Sequence, residues 1–120
     1  MLNGENILRQ LLNVISASSA GKMCIGSETI QVTSSVKHLT VPEGATSADM
    51  TLECSGGSTD PNVAMRYTLD GKTPSATISG IGMPIGDYDT IEISNGSNLT
   101  GMRFISADGV TKYLKVIYYK

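Results

Sequence analysis

The stretch Met65-Arg66-Tyr67-Thr68-Leu69-Asp70-Gly71-Lys72-Thr73-Pro74 constrains the fold of this chain more than any other. Apolar and polar residues alternate as far as Leu69. That period sets Met65, Tyr67 and Leu69 on one face of a strand and Ala64, Arg66 and Thr68 on the other. Asp70-Gly71 then supplies a turn, because glycine takes positive φ without a Cβ clash. Pro74 lacks an N–H and cannot continue a central strand. A half-buried strand that ends in its own turn needs neighbours to cover it.

The rest of the chain supplies candidates. Thr29 to Thr33 alternates around Ile30 and Val32, and Val36 to Val41 does so less cleanly around Leu39 and Val41. After a turn at Pro42-Glu43-Gly44-Ala45, the residues Ala48, Met50, Leu52 and Cys54 alternate with Asp49, Thr51 and Glu53, a strand with one solvated face. Ser55 to Asn62 reads as a flexible loop. Ser75 to Gly86 holds three glycines and Pro84 and is predicted to be an irregular or edge segment crossing between sheets. Ile91 and Ile93 point inward from a strand over Asp87 to Ser94, and Asn95-Gly96 signals a hairpin. Leu99 to Ala107 carries Met102 and Phe104 on one face and Arg103 and Ile105 on the other, and Asp108-Gly109 turns the chain again. The last strand, Thr111 to Tyr119, is apolar or aromatic on both faces: Leu114, Val116 and Tyr118 against Tyr113, Ile117 and Tyr119. Such a strand lies at the centre of a sheet stack or in a subunit interface, which makes Tyr113, Tyr118 and Tyr119 candidate interface residues. About seven short strands separated by turn signals predict a mainly β body over residues 23–120, an antiparallel β-sandwich of immunoglobulin- or jelly-roll-like kind.

A different period governs the N-terminus. Ile7, Leu8, Leu11, Leu12 and Ile15 recur at three- and four-residue spacing, which predicts a helix over residues 4–18 with Asn3 as its N-cap and Glu5 in its first turn. Ser16-Ala17-Ser18-Ser19-Ala20-Gly21-Lys22 follows as a polar tether. Residues 1–22 thus form an expected helical arm and linker. A helix of about four turns is marginal alone in water, so its stripe must pack on its own body or on another chain. Those five apolar residues are candidate interface residues too. Glu5, Arg9 and Asn13 interrupt the apolar run that a secretory signal would need.

Several function classes are disfavoured. A net charge of −2 lacks the basic stripe that nucleic-acid phosphates require. No apolar run reaches the roughly 18 residues of a membrane span. His38 is the only histidine, has no ligand or nucleophile at a suitable spacing, and is expected to be structural. Asp87 and Asp89 flank Tyr88 without companion ligands for calcium and are expected to be solvated. Cys24 and Cys54 are expected to be free thiols, buried or half-buried, although spacing neither supports nor excludes a disulfide. The absence of tryptophan weakens a sugar-stacking site. No catalytic residue, metal or cofactor is expected, and the chain reads as a non-enzyme.

From Leu39 to Lys120 the chain resembles small virion structural proteins of tailed bacteriophages. The matching pieces are Leu39-Thr40-Val41-Pro42-Glu43-Gly44-Ala45, then Met65 through Ala76, then Gly80-Ile81-Gly82-Met83. Leu99-Thr100-Gly101-Met102-Arg103-Phe104-Ile105 and Leu114-Lys115-Val116-Ile117-Tyr118-Tyr119-Lys120 complete the set. The Tyr67-to-Pro74 piece also looks like immunoglobulin-like modules appended to bacterial chitin-degrading and other surface enzymes, while the aromatic–basic end favours the phage group. The residues before Leu39, the first 28 among them, fall outside the resemblance. It implies a virion location, as a head-decoration, head-fibre or head–tail collar component. Its partners would be major capsid, portal-region or tail proteins, and it would form a homo-oligomer, with a trimer the form suggested. The alternative is a surface carbohydrate-binding or adhesion module.

Overall fold

The computed structural model describes residues 22–54 and 60–120. The predicted N-terminal helix and its apolar residues Ile7, Leu8, Leu11, Leu12 and Ile15 lie outside the described residues.

The described chain is mainly β. Eight strands form in order: β1 (Cys24–Val32), β2 (Lys37–His38), β3 (Ser47–Glu53), β4 (Met65–Thr68), β5 (Met83–Ile85), β6 (Thr90–Ser94), β7 (Arg103–Ser106) and β8 (Lys112–Tyr119). One short helix, α1 (Gly96–Gly101), separates β6 from β7. The strands make two four-stranded sheets, ordered β1-β8-β3-β6 and β2-β7-β4-β5. All pairings are antiparallel. Only the β4–β5 connection stays within one sheet; every other successive pair of strands changes sheet.

The alternation read from the sequence decides what each sheet buries. Ala48, Met50 and Leu52 from β3 and Leu114, Val116 and Tyr118 from β8 line the inner face of the first sheet. Met65, Ile85 and Phe104 meet them from the second, in one contiguous core with Leu99 and Met102. Period-two patterning therefore gives a sandwich-like, two-sheet body with one shared core. The apolar β8 is central, flanked by β1 and β3. Its inward residues enter the core, while on its outer face Tyr113 and Tyr119 are half-buried and Ile117 is exposed.

Four expectations need correction. Residues 75–86 do not cross between sheets: they fold back so that β5 pairs with β4 as the edge strand of the same sheet. Asn95-Gly96 does not close a hairpin. Asn95 takes φ 80° and its side-chain oxygen accepts from the Ser97 amide at 2.9 Å, capping α1. The same Asn tolerance for positive φ that favours hairpin turns serves an N-cap here, and β7 starts only at Arg103. Cys24 is exposed rather than buried, because it begins β1 at the edge of the sheet; Cys54 is buried, and both thiols are free. Asp87 is not a simple solvated carboxylate. Its Oδ1 accepts from the Cys54 amide at 3.0 Å, while Asp89 Oδ2 accepts from the Gly86 amide at 2.7 Å. The two carboxylates brace a turn in which Tyr88 adopts φ 62°, a left-handed conformation costly for a bulky residue.

One inward position carries a charge. Lys112 shares the parity of Leu114 and Val116, and its side chain is 0% exposed. Its ammonium donates to Ser106 Oγ at 3.0 Å, to the Val110 carbonyl at 2.9 Å and to the Asp108 carboxylate. Asp108 Oδ1 also accepts from the Val110 amide at 3.0 Å, so the β7–β8 turn folds its own counter-ion over the lysine. Burying an ammonium costs several kcal/mol, and three acceptors including a carboxylate offset that cost.

Candidate functional site

Strand β4 leads directly into the feature of the body with the most scope for binding. Beyond Thr68 the chain turns at Asp70-Gly71, with Gly71 at φ 81° and its amide bonded to the Gly101 carbonyl at 2.8 Å. That bond pins the turn to the end of α1. The contact admits no side chain at Gly101, where a Cβ would lie 2.4 Å from the Leu69 carbonyl oxygen. On the other side the 74–82 segment folds back on itself through a Ser75 amide bond to the Ile81 carbonyl at 2.7 Å. Gly82, at φ 137°, packs on Arg66, whose Cβ would be 3.2 Å from any Cβ at position 82.

These close approaches leave an open groove of about 620 Å³ between the β4–β5 edge and α1. Tyr67, Leu69, Ile81 and Met83 give it an apolar lining, with Thr68, Asp70 and Asn98 among its polar groups. Asn98 is held in place by its own amide, which donates to the Ser94 carbonyl at 3.0 Å. The apolar surface continues past the groove. Ile78 is 89% exposed, Ile81 54% and Met83 62%. Three large apolar side chains exposed within six positions stand out on a body whose other strands alternate cleanly. Met83 pairs with Tyr67 on the edge strand β5, and Pro84 beside it lacks the N–H that a further strand would need. The groove is thus suited to side-chain docking rather than strand addition.

Arg66 lies under this segment, buried on the face expected to be polar. Its Nε has no hydrogen-bond partner among the described residues. The fold-back of residues 74–82 covers it, so both faces of β4 are shielded, where the alternation alone predicts one.

The residues singled out from sequence do not converge. Tyr118 points into the core; its hydroxyl donates to Glu28, and burial raises its pKa above the usual tyrosine range. A partner has no access to it in this fold. Tyr113 and Tyr119 are half-buried on the outer face of the first sheet, beside Glu53 and Ser47 of β3. His38 is exposed, with Nδ1 3.0 Å from the Leu39 carbonyl. Burial and the neighbouring Asp87 push the Cys54 thiol up to about 11, which keeps it protonated and unreactive at neutral pH. No group of three or more His, Cys, Asp or Glu residues gathers at metal-binding distance among the described residues. No described helix is long and apolar enough to cross a membrane.

The groove itself escaped sequence reasoning. Ile81, Met83 and Ile85 alternate with Gly82 and Pro84, but Ile78 falls outside that period, and no polar residues alternate with them to mark an inward against an outward face. The one available signal was apolar residues interleaved with glycine in a segment already read as irregular. No family model, curated protein or solved structure matches the chain.

Proposed function

We propose that the chain is a non-enzymatic structural protein of a tailed-bacteriophage virion. It would serve as an accessory head component, of decoration or head-fibre kind, or as a head–tail collar component, through protein–protein contacts. The observation that carries this reading is where the phage-like segments fall. Leu39 and Ala45 are core residues, Met65 through Thr68 is β4, Arg103 to Ile105 belongs to β7, and Leu114 to Tyr119 belongs to the central β8. The resemblance thus runs through elements of both sheets, as a rigid body for display requires, and also takes in Tyr67 to Asp70 and Ile81 to Met83 of the groove. In this reading the body is an immunoglobulin- or jelly-roll-like sandwich, and residues 1–22 form a helical arm that engages a capsid, portal-region or tail protein in helix-in-groove fashion. Copies of the chain would associate, with threefold symmetry the arrangement suggested by the resemblance.

The test uses particles of the phage that encodes the chain, stripped of it and re-incubated with recombinant protein. The full chain should rebind in fixed stoichiometry, and a chain with Leu8→Asp and Leu11→Asp should not. Failure of the full chain to bind any particle overturns the proposal.

A second reading draws on the groove, where the Tyr67 ring sits beside the polar groups of Thr68, Asp70 and Asn98. That combination also suits a surface carbohydrate-binding or adhesion module. Glycan-array binding lost on Tyr67→Ala would favour it.

A further inference from the structure

The described body exposes one apolar surface, and the sequence outside it carries one apolar stripe. The first is the groove with its exposed rim, Ile78, Ile81 and Met83. The second is the stripe Ile7, Leu8, Leu11, Leu12 and Ile15, legible in the sequence alone. We infer that in the free chain residues 5–15 dock their apolar stripe into the groove of the same molecule. This inference concerns the isolated protein and does not rest on the virion reading.

Three arguments select this occupant. The first is reach. The described chain begins at Lys22, whose ammonium pairs with Glu92 on β6 at 2.8 Å. Strand β6 runs into α1, and Asn98, six positions after Glu92, stands at the groove. The tether of residues 16–22 spans up to about 24 Å when extended. Residues 5–15 as a helix cover a further length of about 16 Å. The groove is therefore within range of the chain's own N-terminal segment.

The second argument is size. Three exposed side chains and a groove present much less than the roughly 800 Å² per partner of a stable free-standing interface. A tethered segment needs no such area, because a short linker holds it at an effective concentration in the millimolar range. The third is chemistry. Pro84 discourages an added strand at the β5 edge, whereas an amphipathic helix needs only apolar side-chain contact and brings its own backbone hydrogen bonds. Docking would in turn stabilise a helix too short to persist alone.

The experiment is methyl NMR on the full chain, labelled at Ile, Leu and Met, at low micromolar concentration. Cross-relaxation from the Leu8, Leu11 or Leu12 methyls to those of Ile81 and Met83 is expected. The double substitution Leu8→Asp with Leu11→Asp should then move the Ile81 and Met83 signals and leave those of the core residue Leu114 in place. The unmoved Leu114 signal separates loss of docking from loss of folding. Absence of these contacts, with no movement of Ile81 or Met83 in the variant, overturns the inference. So does a mixed-label sample in which the contacts run only between different molecules, since the occupant is then a second copy.

Discussion

Strand β8 and the 74–86 segment are both rich in apolar residues, yet they meet opposite fates. In β8 the apolar residues alternate along a regular strand bonded on both sides, so one set enters the core, while on the outer face Tyr113 and Tyr119 are half-covered and Ile117 stays exposed. In the 74–86 segment glycine and proline interrupt the backbone, only a three-residue edge strand forms, and Ile78, Ile81 and Met83 remain outside. Apolar content is therefore a poor guide to burial by itself; regular spacing on a doubly paired strand makes burial possible. Where spacing fails, the same residue types become surface, and surface of this kind is available for contact.

The difference can be broken or sharpened experimentally. The largest effect is expected in the regular core: Phe104→Ala should cost about 3–5 kcal/mol through lost burial and a residual cavity. For a chain of ordinary stability, that is close to loss of folding in a urea titration.

The β7–β8 turn comes next. Asp108→Ala removes the carboxylate facing buried Lys112 and should cost about 3 kcal/mol. Adding Lys112→Met to that variant should restore most of the loss, because the uncompensated charge goes with it. Equal stability of the single and double variants would refute the counter-ion role.

At the groove wall, Gly101→Ala places a Cβ against the Leu69 carbonyl and should cost about 1–3 kcal/mol by displacing the turn from α1. The same variant should alter the chemical shifts of Asn98 and Tyr67.

A smaller effect follows from pH. The Cys54 thiol is raised from an ordinary value of 9.0 to about 11 in the folded chain. The folded state thus holds this proton more tightly than the unfolded one. Its contribution is complete below about pH 9 and is lost as pH rises toward 11. Tyr118, also raised, acts in the same direction from its ordinary value upward. Urea midpoints should be level from neutrality to about pH 9 and then fall, and Cys54→Ala should make the fall shallower.

The smallest effect belongs to the irregular region. In a chain carrying Leu8→Asp and Leu11→Asp, where no stripe can dock, Ile81→Ser and Met83→Ser should change stability by no more than about 0.5 kcal/mol, because the described body leaves both side chains more than half exposed. A larger loss from the same substitutions in the intact chain would show that something covers them there, which sharpens the docking inference.

The sequence by itself determined the class of fold and much of the core. Alternation set Met50 and Leu52 opposite a solvated face, Ile91 and Ile93 inward, and Met102 with Phe104 on one face; all are buried except Ile91, which packs half-buried against the core. It anticipated turns at Asp70-Gly71 and Asp108-Gly109, where both glycines take positive φ. It anticipated the irregular or edge character of residues 75–86, though not that they stay within one sheet, and of its two readings for the last strand the central place is the one the sheet order shows. These features were legible because period and turn chemistry are local, and a few residues suffice to express them.

Only the tertiary structure decided the rest. Asn95-Gly96 is compatible with a hairpin or a helix cap, and the packing of Leu99 and Met102 into the core goes with the helix. Lys112 is an inward position by parity, yet only the fold-back of Asp108 shows how a lysine is accommodated there. Tyr118 is an interface candidate by its pattern, and the packing of the two sheets buries it. The groove arises where β4, the 74–82 segment and α1 meet, from residues up to 31 positions apart, Tyr67 and Asn98 among them. No local pattern encodes such a meeting, because it depends on which backbones approach closely enough to require glycine.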